Sequence, residues 1–344
     1  MKVRAFITHK KAERYSDCQD RFSISDDGLV IALSDGMTSN TLYPDIWADL
    51  LTKAYVEARG KWSDDVLESC KRQWNSEILK KLKEKTEKGD RNVWRLANNI
   101  AENKSAGATL CGICIDVDAK WIGYVIGDST IIKCKNKEIE EICTSEDKPF
   151  DNYPDYLDSI SVGRGKIKDF NGIIDENNFL LLVSDPFSEF LSVHKEESIQ
   201  YIEEILALES HEDFVKLVDK WRTQGMHNDD STLIIVQSDT DNIIKKDDIR
   251  ELIRKEIENV QNSLINSTEV LLKETFTIEE NESLLEKKND FSDSLVERYL
   301  KKILDKICST LGKKTKKDKD KLSEKIRELL YNFLKEYDNT SRPS

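Results

Sequence analysis

Short apolar runs alternate with amphipathic stretches through residues 1–240. Seven of these runs are rich in Val, Ile, Leu and Phe and are bounded by Gly, Asp or Asn, which is typical of β-strands. Several of them end on Asp. The runs are VRAFITH (3–9), GLVIALSD (28–35), ATLCGICIDV (108–117), WIGYVIGD (121–128), STIIKC (129–134), NFLLLVSD (178–185) and STLIIVQSD (231–239).

Apolar residues at helical spacing predict helices between the strands. One helix begins at Pro44, because proline is well tolerated in a first turn. Ser63 is placed to cap a second helix, and Ser210, with Asp213 three residues later, is placed to cap a third. The runs at 121–128 and 129–143 are joined by the tight turn Gly127-Asp128-Ser129, which predicts an antiparallel hairpin and an α+β fold.

Beyond residue 240 the pattern changes to long helical stripes without strand signals. The stripes run through 249–265, 295–311 and 322–334, and they predict an all-α module over 241–344 that follows a first domain over 1–240. An apolar helix face packs equally well within a chain or between chains. The module therefore either completes the fold or serves self-association or the binding of a protein partner.

The formal net charge of −13 belongs to residues 1–240, since residues 241–344 hold equal numbers of basic and acidic side chains. An acidic domain repels phosphate backbones, so nucleic acid is not an expected partner. No apolar run is long enough to cross a bilayer, and the N-terminus lacks the apolar core of a secretory signal. We therefore expect no membrane association and a cytoplasmic location.

The seven cysteines are scattered and odd in number, which predicts reduced thiols. Cys111 and Cys114 form the one C-x-x-C, but they lie in a strand run whose alternation sends the sulfurs to opposite faces. The four histidines are dispersed as well. Neither residue type therefore indicates a zinc site.

Four aspartates stand at strand ends or just before strands, at Asp20, Asp35, Asp185 and Asp229. Each alone is typical of a turn residue. Together, carboxylates that converge on one edge of a sheet or sandwich would provide oxygen ligands, which select hard cations such as Mg²⁺ or Mn²⁺.

Six short motifs occur in a defined order along the chain. It comprises QD (19–20), SDG (34–36), GATL (107–110), GDS (127–129), LLLVSD (180–185) and DDSTLIIV (229–236), with His9 upstream of Cys18-Gln19-Asp20. Over residues 5–237 this series resembles that of the type 2C (PPM) metal-dependent Ser/Thr protein phosphatases, particularly the bacterial branch. The resemblance implies an α-β-β-α sandwich of two antiparallel sheets flanked by helices, with two Mg²⁺ or Mn²⁺ ions at one edge.

The resemblance also implies roles for individual residues. Asp35 would bridge the two metals, and Gly36 would ligate through its carbonyl. Asp185 and Asp229 would hold one metal from the opposite sheet, while Asp20 would orient the attacking water. These roles imply a phosphatase without a covalent phospho-enzyme.

Other positions carry two interpretations or depart from the family pattern. Asp128 matches an aspartate of a weaker third metal site, although the same GDS makes an ordinary turn. The usual phosphate-binding Arg falls on Tyr15, which leaves His9, its lysine neighbours, Arg14 or Arg164 as candidate phosphate contacts. Pro186 replaces the usual Gly and biases Asp185 away from helical backbone, which could displace a ligand.

Three functions follow in order. The first is a cytoplasmic Ser/Thr protein phosphatase with phosphoprotein substrates, acting in signalling. The second is a catalytically weak, phosphatase-like module that recruits a partner through the helical tail, which Pro186 and Tyr15 would favour. The third is a phosphohydrolase of small molecules, since metals recognise phosphoryl oxygens generally.

Overall fold

The computed structural model of the chain describes residues 1–37, 41–145, 154–260, 262 and 263. The chain divides into two compact units, Met1–Ile249 and Arg250–Ser344. Residues 249–260 are helical, as the first stripe predicts. The end of that stripe and the stripes through 295–311 and 322–334 lie outside the described residues. No helix of the described part has the length and apolarity needed to cross a membrane.

Two large β-sheets form the first unit. One has six strands in the order β13-β1-β12-β11-β7-β8, and the other has five in the order β10-β6-β5-β3-β2. Their strands are β1 (Lys2–Thr8), β2 (Arg21–Ile24), β3 (Val30–Ser34), β5 (Leu110–Ile115), β6 (Lys120–Ile126), β7 (Thr130–Lys135), β8 (Glu138–Cys143), β10 (Lys168–Ile173), β11 (Asn178–Val183), β12 (Ser231–Gln237) and β13 (Ile243–Lys246). A short pair joins β4 (Gly107–Ala108) to β9 (Leu157–Asp158).

Side-chain alternation along the strands separates three apolar layers. In β1, Val3 and Ala5 point into the core between the two sheets, whereas Phe6 points to the opposite face. In β5, Cys111 faces the core between the sheets and Cys114 lies on the other side, as strand alternation predicts. All six cysteines among the described residues are free.

Helices cover the outer face of each sheet. The outer core of the six-stranded sheet contains residues of α4 (Asp185–Val193), α5 (Ser198–Leu206) and α6 (His211–Thr223). That of the five-stranded sheet contains residues of α1 (Pro44–Glu57), α2 (Asp64–Glu87) and α3 (Val93–Ala101). A 3-10 turn spans Lys195–Glu197. The α+β sandwich of two sheets between helical layers is thereby confirmed.

The predicted helix starts are confirmed. Pro44 stands in the first turn of α1, the Ser63 side chain accepts from the N–H of Val66 at 3.4 Å, and that of Ser210 accepts from the N–H of Asp213 at 3.2 Å. These caps satisfy N–H groups that a helix itself leaves unpaired.

The predicted hairpin at the Gly127-Asp128-Ser129 turn is wrong. β6 belongs to the five-stranded sheet and β7 to the six-stranded sheet, so the turn crosses between the sheets. β7 pairs instead with β8, through a turn in which Asn136 and Lys137 both have positive φ. β7 and β8 pair antiparallel, and so do β6 and its neighbours β5 and β10, so the fold class is unaffected.

The expectation of no strand after residue 240 is also wrong. β13 pairs with β1, and this pairing is parallel whereas the other strand pairs of the two large sheets are antiparallel. Its short sequence, IIKK, has only two apolar residues and therefore carries little strand signal. The strand extends the six-stranded sheet at the edge beside β1.

Candidate active site

Strand register brings the predicted aspartates to one end of the sandwich. In the five-stranded sheet, the start of β2 lies beside the end of β3, since Arg21 pairs with Ser34. In the other sheet, Val183 at the end of β11 lies opposite both Thr130 and Leu233, near the starts of β7 and β12. The residues that flank these strand ends are Asp20, Asp35, Asp128, Asp185 and Asp229.

Asp35 is the electrostatic centre of this carboxylate cluster. Burial, followed by the negative charge of Asp20, raises the pKa of Asp35 well above its ordinary value. The charges of Asp185, Asp128 and Asp229 raise it further. The structure therefore places the five predicted carboxylates within electrostatic reach of one another.

Asp20 is fully buried, whereas Asp185 is only partly buried. Burial, followed by the charge of Asp230, raises the pKa of Asp20 to about 7, even though Thr232 donates a hydrogen bond to Asp20 at 2.7 Å. Burial, followed by the charge of Asp128, raises the pKa of Asp185 well above its ordinary value. The neighbouring Asp35 carboxyl group offsets part of the increase in the pKa of both Asp20 and Asp185. Protons held by these carboxyl groups offset charge that cations could offset instead.

Two buried carboxylate oxygens indicate whether the cluster suits cations. Asp20 Oδ1 and Asp185 Oδ1 are buried and make no hydrogen bond. A buried carboxylate oxygen without a donor is costly in a folded protein, and a hard cation would satisfy it. The donor chemistry therefore fits Mg²⁺ or Mn²⁺.

The present side-chain geometry is not a finished coordination sphere. Among the described residues, no three acidic, His or Cys side chains are already arranged to hold a metal ion. Two carboxylate oxygens of the cluster are nonetheless buried without a hydrogen bond, and rotating a carboxylate is easier than moving a strand.

Thr109 fixes the backbone that carries Asp35 and Gly36. The Asp35 N–H donates to Thr109 Oγ1 at 3.0 Å, and the Thr109 N–H donates to the Asp35 carbonyl at 2.9 Å. Thr109 Oγ1 also lies 2.6 Å from Ser129 Oγ, in the turn that carries Asp128. A Cβ on Gly36 would come within 3.0 Å of the Pro44 backbone. The close approach of α1 therefore requires glycine after Asp35.

Pro186 does not move Asp185 out of the cluster. α4 begins at Asp185 with Pro186 in its first turn, where a missing N–H costs nothing. Asp185 is helical despite the proline that follows it, and its carboxyl group is enclosed beside Asp35. The expected bias of Asp185 away from helical backbone is therefore wrong, whereas its displacement as a ligand stays a prediction.

Asp229 is held by a cation that belongs to the loop between β1 and β2. Lys10 Nζ lies 2.8 Å from Asp229 Oδ1, and the Lys10 side chain is only 20% exposed. Although burial disfavours the ammonium form, the hydrogen bond and charge of Asp229 raise the pKa of Lys10 overall. Lys10 therefore stands where a phosphoryl group beside these carboxylates would meet it.

Similarity to known proteins is found among solved structures. No protein-family model and no curated protein matches the chain. Solved structures do resemble it, and those named here are phosphatases. A bacterial serine phosphatase has a TM-score of 0.48 at 16% identity, covering 70% of this chain and 99% of its own.

Two further neighbours are of the same kind. The catalytic domain of the serine threonine protein phosphatase PstP, in complex with 2 manganese ions, has a TM-score of 0.44 at 16% identity, covering 69% of this chain and 97% of its own. The S. agalactiae serine/threonine phosphatase has a TM-score of 0.43 at 16% identity, covering 69% and 99%.

The predicted phosphate contacts are placed unequally. His9 is half-buried, with its Nδ1 2.7 Å from the Lys10 carbonyl and its ring edge-on to Tyr15. Arg14 is exposed. Arg164 is half exposed and lies 3.7 Å from the Asp155 carboxylate. Lys10, by contrast, contacts the carboxylate cluster directly through Asp229.

Asp230 is a site residue that the sequence reading missed. It is buried, and its carboxylate accepts from the N–H groups of Lys10 at 3.0 Å and Gln19 at 2.7 Å. Burial raises the pKa of Asp230 above its ordinary value despite these bonds. The Asp229-Asp230 doublet was the available signal, because adjacent residues before a strand point to different partners.

Proposed function

We propose that this chain is a metal-dependent phosphatase that hydrolyses phosphoserine or phosphothreonine in proteins. The observation that carries the proposal is the enclosed cluster around Asp35, with unsatisfied carboxylate oxygens on Asp20 and Asp185. Such a set of hard oxygen donors suits two divalent cations. Cations held there would supply an activated water for in-line attack on phosphorus and would neutralise charge on the phosphoryl oxygens.

The position of each residue in the cluster indicates whether it would hold a cation or orient water. Asp35, which interacts with carboxylates from both sheets, would hold both cations, with the backbone carbonyl of Gly36 beside it. Asp185 and Asp229 would hold cations from the six-stranded sheet, and Asp128 from the turn between the sheets. Asp20, anchored by Thr232, would orient the attacking water.

Lys10 would bind the phosphoryl group in place of the missing arginine. Its ammonium group already contacts the Asp229 carboxylate, and its backbone N–H is fixed by Asp230. If Asp229 held a cation, the Lys10 ammonium group would be available to phosphoryl oxygens at the same position. A point charge on a short loop would suffice for this task, although it lacks the two-pronged geometry of arginine.

Turnover measurements test the proposal directly. Purified protein would be assayed on p-nitrophenyl phosphate and on a phosphothreonine peptide with Mn²⁺, with Mg²⁺ and with EDTA. We expect metal-dependent hydrolysis that disappears in EDTA and falls at least about a hundredfold in Asp35→Asn. Absence of hydrolysis by folded protein in both metals would reject the proposal.

The Lys10–Asp229 ion pair favours one second function. If the ammonium group keeps Asp229 from cations, the domain would be a catalytically weak module that binds phosphorylated partners. Calorimetric titration with Mn²⁺ separates the two. Two bound ions per chain support the enzyme, and no binding supports the module.

A further inference from the structure

Three side chains form a continuous hydrogen-bonded line beside the site. Tyr15 Oη lies 2.8 Å from His211 Nε2, and His211 Nδ1 lies 2.7 Å from Asp247 Oδ2. The His211 side chain is 20% exposed and that of Asp247 only 11%. Nothing in the proposed chemistry uses these residues.

Asp247 determines which groups donate and which accept along this line of hydrogen bonds. An ionised carboxylate only accepts, so Nδ1 of His211 carries the proton in the neutral imidazole and donates it to Asp247. Nε2 is then an acceptor for the Tyr15 hydroxyl. Asp247 is itself fixed, because it accepts from the Ile7 N–H at 3.0 Å and its own N–H donates to the Ala5 carbonyl at 2.9 Å.

The other end of the line reaches the loop that carries Lys10. The ring of Tyr15 meets the ring edge of His9 at a centroid distance of 4.5 Å. Arg222, on the same helix α6 as His211, donates to the carbonyls of His9 at 3.1 Å and Asp229 at 2.8 Å. Helix α6 therefore makes hydrogen bonds to the loop at two places, at His9 next to Lys10 and at Tyr15.

We propose that Tyr15, His211 and Asp247 act together as positioning residues that hold Lys10 in register with the phosphoryl site. The proposal rests on the proposed function and adds to it the way in which phosphate recognition is fixed. None of the three touches substrate. They act through the loop, so their loss weakens phosphate binding without removing the groups that hold cations or water.

We call Tyr15, His211 and Asp247 the relay. Steady-state kinetics with Mn²⁺ and the phosphothreonine peptide test its role. Tyr15→Phe keeps the ring on His9 but removes the hydroxyl, and Asp247→Asn keeps an acceptor oxygen for the Ile7 N–H but removes the negative charge that strengthens the hydrogen bond from His211 Nδ1. We expect each to raise KM about two- to tenfold with kcat within about twofold, since one hydrogen bond is lost in Tyr15→Phe and loses its charged acceptor in Asp247→Asn. The double variant is expected to be no worse than either single one.

Glu209→Gln is the matched control. Glu209 lies just before the cap of α6, is 57% exposed, and pairs with Lys245 of β13 at 3.1 Å without contacting His211. We expect its KM to equal that of the unaltered chain. Additive KM effects in the Tyr15 and Asp247 variants, or an equal rise in Glu209→Gln, would overturn the relay.

Two readouts do not depend on turnover. The chain has only four histidines, so ¹⁵N NMR of the imidazole groups can identify the tautomer of His211. We expect the Nδ1–H form in the unaltered chain, with Asp247 accepting from it; the Nε2–H form would refute the relay.

Titration with inorganic phosphate in the presence of Mn²⁺ provides the second readout. We expect affinity to weaken by the same two- to tenfold in both variants, and unchanged affinity would refute the relay. If the unaltered chain binds phosphate but hydrolyses nothing, the proposed function fails. The relay would still stand on its tautomer and phosphate readouts.

Discussion

At the scale of single residues, the site is a balance between carboxylates that repel one another and the few groups that offset them. Asp20 is fully buried and Asp35 and Asp185 are partly buried, and burial with neighbouring charges raises the pKa of all three. Lys10 contacts the cluster through Asp229. Removing the charge of a carboxylate or of the ammonium group therefore changes activity or stability in a predictable direction.

We predict that Lys10→Met lowers kcat/KM for the phosphothreonine peptide about ten- to a hundredfold, because a charged hydrogen bond to phosphate is lost. Lys11→Met is the matched control, since Lys11 is exposed and contributes its backbone N–H, at 2.8 Å, to Asn228 Oδ1. Steady-state assays of both variants decide the matter. Equal losses in the two, or none in Lys10→Met, would show that phosphate is bound elsewhere.

The raised carboxyl pKa values predict a pH-dependent stability of the metal-free protein. Between the ordinary value of 3.8 and about 7, folded Asp20 keeps a proton that the unfolded chain releases. The resulting stabilisation is complete below about pH 4 and is lost as pH rises through about 7. Asp35 and Asp185 act in the same direction.

Thermal unfolding in EDTA and in Mn²⁺ checks this pH dependence. We expect Tm in EDTA to fall between pH 5.5 and 8, and the increase in Tm that Mn²⁺ produces to grow over the same interval. A flat EDTA curve would mean that these carboxyl groups do not share protons in the metal-free state.

At the scale of elements, short backbone segments place the carboxylates. Asp185 opens α4, and Pro186 stands in the first turn, where its fixed φ suits the helix. Thr109, at the start of β5, holds the Asp35 backbone from both sides. The positions of the carboxylates thus follow from how β3, β5 and α4 begin or end.

We predict that Pro186→Gly lowers the free energy of unfolding by about 0.5–1 kcal/mol, because glycine loses more backbone entropy on folding. Activity should change less than about twofold, since Asp185 already lies in the cluster. Denaturant unfolding and turnover assays measure the two effects. A marked gain in activity would instead mean that the proline holds Asp185 away from its working position.

At the scale of the whole molecule, the boundary between the units lies beyond β13. The first unit ends at Ile249, so it includes β13 and Asp247. A domain that ended at residue 240, as the helical pattern suggests, would lose one edge strand of the six-stranded sheet and the anchor of His211.

We predict that a chain of residues 1–249 unfolds cooperatively and keeps the KM of the full chain. A chain of residues 1–240 should have a Tm lower by about 4 °C or more, since a loss of a few kcal/mol shifts Tm by that much in a domain of this size. Its KM should rise as in Asp247→Asn. Equal Tm and KM for the two truncations would place the boundary at 240 instead.

The sequence by itself determined the features that depend on neighbours along the chain. Seven strand runs, the caps at Ser63 and Ser210, and the aspartates at strand ends were all readable, because strand alternation and capping involve residues only a few positions apart. The ordered motifs also indicated the sandwich and named the carboxylates that the structure brings together.

Only the tertiary structure decided which distant groups meet. Tyr15 and His211 are 196 residues apart, and Lys10 and Asp230 are 220 apart, so no local pattern pairs them. The Gly127-Asp128-Ser129 turn has the sequence of a hairpin, yet the burial of both sheets sends β6 and β7 to different layers. Local propensity fixes what a segment becomes, whereas its partner is fixed by the apolar faces and polar groups that must be satisfied across the whole fold.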